Sequence, residues 1–416
     1  MAYDVARIRS WFPALEHGWA LFDGPGGTQA PRQVGEAIAS TLTGPLSNRG
    51  QLGESAQRAD AAVAAFRDAV ADFTGADPRG VVHGRSATQL VYDFSRHLSK
   101  GWGPGDEVVV TRLDHDSNVR PWVQAAERAG ATVRWVAFDP ATGELPIEAV
   151  ASALTDRTRL VAVTAASNLI GTMPDVSAIA EAVHAVGVLL FVDGVHYAAH
   201  QLPDLGALGA DFFTCSPYKF LGPHCGLLVA DPALLETIAP DKLLPATDVV
   251  PERFEFGTLP YELLAGVTAA VDVLASLAEP ADGPAGLPAA AGSATDAPAS
   301  RRTRLAASYA ALHEHESRLL ARLESALADL PGTTVHSRAS RRTPTLLATF
   351  AGHEASAVSD SLAADRVLAP SGNFYALEAS RHLGLGDDGG LRIGLAPYTD
   401  DEDVDRLIAG LRRAVA

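Results

Sequence analysis

Two short stretches hold residues that could do chemistry together. Leu189-Leu190-Phe191-Val192 is an apolar run of strand length that ends on an acid, Asp193. Asp211 to Cys215 is a second such run, and it ends just before Ser216-Pro217-Tyr218-Lys219. The interval from Asp193 to Lys219 is about that of one parallel strand with its crossover. Parallel neighbours deliver their C-terminal ends to one sheet edge, which is where open α/β sheets bind ligands. An acid and a lysine on that edge suit pyridoxal 5'-phosphate, which takes a lysine for its Schiff base and an acid against its pyridine nitrogen.

The elements that must position this pair follow from the pattern. Gly80 to His83 is a short strand, Gly84-Arg85-Ser86-Ala87-Thr88 a turn, and Gln89 to Leu98 a helix. Free backbone N–H groups and the helix dipole make this turn a workable anion site, although Ser86 or Thr88 could equally serve as a helix N-cap. Further strands cover 107–111, 132–137 and 159–164, with helices between them. Strands and helices alternate from residue 80 to residue 219, which predicts an α/β fold with a mostly parallel sheet covered on both faces. Thr88, His115, Asn168, Asp193 and Lys219 all come just after strand ends, so separate loops carry them to one edge.

The N-terminal residues 1–20 read as a helical arm anchored by Trp11 and Phe12, and Ser55 to Phe73 as an amphipathic helix. Phe22-Asp23-Gly24-Pro25-Gly26-Gly27-Thr28 reads as a tight turn; no Gly-Lys-Ser/Thr follows, so it is not a phosphate loop of the Walker type. Past Tyr261 the chain predicts helices over 261–277, 301–330 and 401–415 and strands over 345–350 and 391–395. Residues 278–300, rich in Ala, Pro and Gly, read as a flexible linker or insertion. The expected organisation is an arm over 1–20 joining the small domain, a large cofactor-binding domain over 21–265, and a small α+β domain over 266–416.

The formal net charge of −17 argues against nucleic acid and anionic membrane as partners. The two cysteines, Cys215 and Cys225, sit in apolar runs and cannot form a disulfide framework. With no apolar run of membrane length and no signal-type segment at the start, a cytoplasmic setting is expected. No metal site is expected.

With these residues in view, the chain resembles the class V aminotransferase group of fold-type-I pyridoxal-phosphate enzymes, in its cysteine desulfurase-like and selenocysteine lyase-like branch. The matching pieces run in the family's order. They are Ser86-Ala87-Thr88, Asp114-His115, Ser167-Asn168-x-x-Gly171-Thr172 and Val192-Asp193-Gly194-x-His196, then Ser216-x-Tyr218-Lys219-x-x-Gly222-Pro223, Arg253-Phe254-Glu255-x-Gly257-Thr258 and Leu391-Arg392-Ile393-Gly394. The resemblance implies a large domain built on a seven-stranded-type sheet sandwiched by helices. It implies that Lys219 forms the internal aldimine and moves the Cα proton, that Asp193 keeps the pyridine nitrogen protonated, and that His115 stacks on the ring. Asn168 and His196 would contact the phenolic oxygen; relatives often carry a glutamine at the second position. Ala87, Thr88, Ser216 and Tyr218 would hold the phosphate, with Tyr218 replacing a histidine common in relatives. Thr258 would reach the phosphate of a neighbouring subunit, which implies a homodimer, and Arg392 would grip the substrate α-carboxylate.

One departure matters. Cysteine desulfurases carry a nucleophilic cysteine on a mobile loop of the C-terminal domain. The corresponding loop here, Ala369 to Ala376, offers only Ser371, Asn373 and Tyr375. The expectation is therefore a lyase acting on an amino acid by Cα deprotonation and β-elimination without the usual loop cysteine. Aminotransfer or epimerisation is the alternative, and a non-catalytic cofactor-binding scaffold the remote one.

Overall fold

The computed structural model describes residues 3–279 and 299–416. Most of the stretch read as a linker, 278–300, thus lies outside the described residues.

The core is a seven-stranded sheet. In spatial order its strands are Val81–Gly84, Gly226–Ala230, Phe212–Cys215, Leu189–Asp193, Thr158–Thr164, Glu107–Thr111 and Thr132–Val136. The five from Phe212–Cys215 to Thr132–Val136 are parallel, while Gly226–Ala230 runs antiparallel to both its neighbours. The strands are apolar throughout because both faces are covered. Successive residues alternate between two cores: Val109, Val161, Leu190 and Phe213 face one, and Val108, Ala162, Phe191 and Phe212 the other. Helix Glu54–Thr74 contributes Val63, Phe66 and Phe73 to the first core, and helix Ala87–Leu98 contributes Leu90 and Phe94 to the second.

The C-terminal residues form a four-stranded antiparallel sheet in the order Ser371–Gly372, Gly390–Gly394, Thr345–Phe350, Thr333–Val335. Its core joins Leu346, Leu391 and Ile393 to Leu319 and Leu323 of helix Arg301–Ala328 and to Val404 and Leu407 of helix Asp401–Ala414. Helix Tyr261–Ala275 is continuous across residue 265 and packs against helices Arg32–Thr43 and Glu54–Thr74.

The first residues belong spatially with the last. The Tyr3 hydroxyl donates to Pro397 O at 2.7 Å, and Arg9 bonds Tyr398 O and the Asp403 carboxylate, each at 2.6 Å. Ala20–Leu21 pairs in parallel with Val367–Leu368, and Gly394 N donates to Phe22 O at 2.8 Å. Gly394 must be glycine for this approach, since a Cβ there would lie 2.1 Å from the Pro25 ring.

Helix Arg32–Thr43 had no counterpart in the sequence reading. Its apolar stripe is only Val34, Ala37 and Ile38, too narrow to stand out as a period. It packs against helix Tyr261–Ala275, where Gly266 lets Ile38 approach closely; a Cβ at Gly266 would lie 2.7 Å from Ile38 Cγ1. No helix among the described residues is long and apolar enough to cross a membrane.

Candidate active site

The C-terminal edge of the parallel strands opens into a cavity of about 490 Å³. It is closed from the other side by the C-terminal sheet and by the turn at Asp23. The residues that border it come from every strand end singled out in the sequence: Ala87, Thr88, His115, Asn168, Asp193 and His196, then Ser216, Tyr218, Lys219 and Arg392. Thr258 is exposed and lies outside this cavity.

Asp193 is the last residue of its strand, 4 % exposed, and its Oδ1 accepts from Val195 N at 2.9 Å. Burial pushes its carboxyl up to about 6, against the opposing pull of the Val195 N–H and of Lys219. An acid in this state is ready to ionise against a cation, and a protonated pyridine nitrogen is such a cation.

Lys219 follows the adjacent parallel strand, on a single 3-10 turn, Pro217–Lys219. Its Nζ donates to Gly26 O at 2.9 Å and to Pro25 O. Burial, reinforced by the nearby charge of Arg392, lowers its amine to about 7. A lysine in this condition is a nucleophile and a proton acceptor at neutral pH.

The start of helix Ala87–Leu98 stands at the other end. Ser86 caps helix Ala87–Leu98, its side chain accepting from Gln89 N at 3.1 Å. Ser86 is therefore the N-cap, and Ala87 and Thr88 of the first turn border the cavity. Gly226 permits the approach of sheet to helix start, since a Cβ there would lie 2.4 Å from Ala87 N. Ser216 and Tyr218 complete this end, with the Tyr218 ring stacked 4.7 Å from His224.

Between the two ends, the His115 ring borders the cavity. Its Nδ1 accepts from Ser117 N at 3.1 Å and lies 2.8 Å from Ser117 Oγ, so its proton resides on Nε2. Burial first, then Lys219 and Arg392, lower this imidazole to about 4, which leaves it neutral. Asp114, beneath it, accepts from Thr111 Oγ1 and from Asn118 Nδ2, and burial drives its carboxyl up to about 8. Asn168 donates to Phe374 O at 2.9 Å, while its Oδ1 is buried without a hydrogen-bond partner.

Arg392, 2 % exposed on strand Gly390–Gly394, is held on three sides. Its Nη2 donates to Asp23 Oδ1 at 2.6 Å, its Nη1 to Asn168 O at 3.2 Å, and the Phe374 ring lies 3.7 Å from Cζ. Its Nε is buried and has no partner. This is a preset donor with one position open, suited to an anionic group.

Three residues of the site had not been identified from the sequence. Asp23 sits in the turn that reads as glycine-rich punctuation. Gly26 was the usable signal, because a Cβ there would meet the Asp23 carboxylate at 2.2 Å. Phe374 and Tyr375, in the loop that lacks a cysteine, hold left-handed backbone with φ of 51° and 59°. That conformation is unfavourable for aromatic residues and is kept by contacts: Tyr375 N donates to Asn373 Oδ1, and Asp116 N to Tyr375 O. Neither cysteine borders the cavity; Cys215 and Cys225 are buried, and burial raises the Cys225 thiol to about 12.

Comparisons with known proteins show the family and the fold. The family model described as aminotransferase class-V matches residues 20–281 and 302–407. An uncharacterised protein of Mycobacterium tuberculosis, MT3887, is 36% identical over 99% of both chains. The aminotransferase-like protein FGM3 of Gibberella zeae is 32% identical over 99% of this chain and 98% of its own. A probable cysteine desulfurase of Mycolicibacterium paratuberculosis is 31% identical over 99% of this chain and 58% of its own. Among solved structures, the cysteine desulfurase CsdA of Escherichia coli superposes with a TM-score of 0.84 at 25% identity, covering 100% of this chain and 99% of that one. The architecture is thus the fold-type-I pyridoxal-phosphate enzyme fold.

The state of Lys219 can be measured directly, because the chain contains only three lysines, Lys100, Lys219 and Lys242. Labelling by a small amine-directed reagent, read peptide by peptide in a mass spectrometer, should rise with pH at Lys219 and reach half its plateau near pH 7. A midpoint at the ordinary lysine value of 10.5 would refute the depressed amine.

Proposed function

Because the chain belongs to the class V aminotransferase family, we propose that it is a pyridoxal 5'-phosphate enzyme that eliminates a β-substituent, sulfur- or selenium-bearing, from an amino acid. The observation that carries this reading is the buried, near-neutral Lys219 sharing a cavity with Asp193 and Arg392, where neither thiol of the chain is present. The cofactor, when bound, supplies an electron-accepting ring conjugated to the substrate nitrogen.

The residues fit that group. Lys219 would hold it covalently and Asp193 would face its pyridine nitrogen. The N–H groups of Ala87 and Thr88, with Ser216 and Tyr218, would take the phosphate. His115 would cover the ring, Asn168 and His196 would meet the phenolic oxygen, and Arg392 would take the substrate carboxylate through its open Nε–H. Lys219 Nζ, its proton affinity lowered to about 7, would accept the Cα proton and pass it to the departing thiolate, which would leave as a small thiol. Phe374 and Tyr375 limit water at the cavity mouth. Aminotransfer or epimerisation is the second reading, favoured by the likeness to FGM3, named aminotransferase-like.

Thr258 is exposed, two residues from Phe256, which is 51% exposed; Leu243, Leu244 and Val249, earlier in the same segment, are exposed too. A homodimer would cover this surface and bring Thr258 to the site of the second copy. Sedimentation should show a dimer; a stable, fully active monomer would exclude the shared site.

Product analysis separates the readings. Incubated with cysteine and its β-substituted analogues, the protein should release a pyruvate-type keto acid and free thiol or sulfide, with no persulfide on Cys215 or Cys225. A persulfide on Cys225, with activity lost in Cys225→Ser, would instead make it a desulfurase with a relocated nucleophile. Release of the intact keto acid of the substrate would point to aminotransfer.

Removing the guanidinium at Arg392 removes a charge-assisted hydrogen bond to the carboxylate, worth roughly 1.5–3 kcal/mol. Arg392→Ala should lower kcat/KM by about tenfold to 150-fold. Unchanged kinetics would remove Arg392 from the substrate site.

A further inference from the structure

Val81–Gly84 is the end strand of the seven-stranded sheet, paired on one side with Gly226–Ala230. An end strand turns a row of backbone donors and acceptors away from the sheet, and residues two apart present theirs on the same side. Here that row meets two charged side chains from elsewhere in the chain. Arg67 Nη1, from helix Glu54–Thr74, donates to Val81 O. Glu255 Oε1 accepts from His83 N at 2.9 Å. The two side chains are also joined to each other: Arg67 Nη2 donates to Glu255 Oε2 at 2.8 Å, and Nη1 to Oε1 at 3.3 Å. They are 9% and 2% exposed. The pair thus offers the end strand one donor and one acceptor, as an eighth strand would.

Glu255 is the last anchored residue before Thr258. Phe254, just ahead of it, is buried, and its ring stacks on that of Phe94 at 5.1 Å. Phe256, Gly257 and Thr258 are all exposed, and Gly257 has a φ of 91°. Where Thr258 stands is therefore set by Phe254 and Glu255. The same end strand leads to Ser86, the N-cap of helix Ala87–Leu98, whose first turn borders the cavity. A buried ion pair contributes little net stability beside an apolar pair of the same shape. A fork tied at both partners to the backbone of one strand instead fixes position.

We propose that Arg67 and Glu255 are positioning residues: standing in for a further strand, they lock the segment that carries Thr258 to the strand that leads into the cavity, and so present Thr258 at a fixed place to the cofactor site of the second copy. The part about the second copy rests on the reading in the preceding subsection; the locking of the segment does not. Glu252 extends the lock toward the surface, its Oε1 lying 3.4 Å from Arg67 Nη2 and 3.1 Å from Arg49 Nη1.

The test uses the full-length protein loaded with pyridoxal 5'-phosphate. In Glu255→Gln the charged fork is lost while the side chain keeps its shape. Hydrogen exchange, read by mass spectrometry well below the melting temperature, should speed up in peptides spanning 252–258 and 81–84 and stay as in wild type over strand Leu189–Asp193. Arg67→Lys, which keeps a charge but not the fork, should do the same to a smaller degree. Cofactor loss during gel filtration of dilute protein, followed by the visible band, should be about tenfold faster in Glu255→Gln and in Thr258→Ala. The double variant should lose it no faster than either single one, because both changes break the same contact. A pair that only stabilised the fold would lower melting, and its effect would multiply that of Thr258→Ala. Unchanged exchange over 252–258 in both folded variants, or a double variant about a hundredfold faster than wild type, overturns the proposal. If Thr258→Ala alone retains the cofactor as wild type does, the shared-site reading fails instead, and the exchange measurement still decides whether the pair holds the segment.

Discussion

Two cations, Lys219 and Arg392, are buried against one cavity, and the rest of the structure answers that constraint. Neither could be placed there alone, because a buried charge without a partner destabilises a fold by several kcal/mol. Arg392 is matched by Asp23 in the plane of its fork and by the face of Phe374. Lys219 is handled differently: carbonyl groups of Pro25 and Gly26 take its hydrogens, and its charge is weakened through a lowered affinity for protons. Burial first, and then repulsion from Arg392, make the pair costly and give Lys219 its lowered proton affinity. Stability and chemistry are therefore coupled here.

The acids around the cavity show the complementary logic. Asp193 and Asp114 lie close to each other and deep in the sheet edge, and both are pushed toward the neutral form by burial. Asp114 is tied to Thr111 and Asn118 and so has a fixed local task under His115. Asp193 has one backbone N–H and otherwise faces the cavity. Two carboxyl groups of the same type thus differ in what they can still accept, and only Asp193 has room for a ligand.

Much of this was legible in the sequence because parallel sheets deliver function by a simple rule. His115, Asn168, Asp193 and Lys219 each follow an apolar run of strand length, and the run itself announces the edge to which they are carried. Ala87 and Thr88 follow from a strand, a small-residue turn and a helix start. The remainder depends on contacts between distant parts of the chain, which local pattern does not encode. Asp23 hides in a turn whose glycines look like punctuation, and its partner Arg392 lies on the last strand. Phe374 and Tyr375 sit in backbone that their residue types disfavour, so propensity argues against their positions. The cavity residues that follow strand ends were therefore visible, and Asp23, Phe374 and Tyr375, which close the cavity, were not.

The pairing of Ala20–Leu21 with Val367–Leu368, and of Asp23 with Arg392, also fixes an order of events during synthesis. Ala20, Leu21 and Asp23 leave the ribosome well before their partners Val367, Leu368 and Arg392. The seven-stranded sheet is complete once residue 230 has emerged, so the acid and the lysine can stand side by side early. The turn that caps Lys219 has no seat until strand Gly390–Gly394 exists. A nascent chain thus leaves the Lys219 amine uncovered from the time residue 219 emerges until that strand follows.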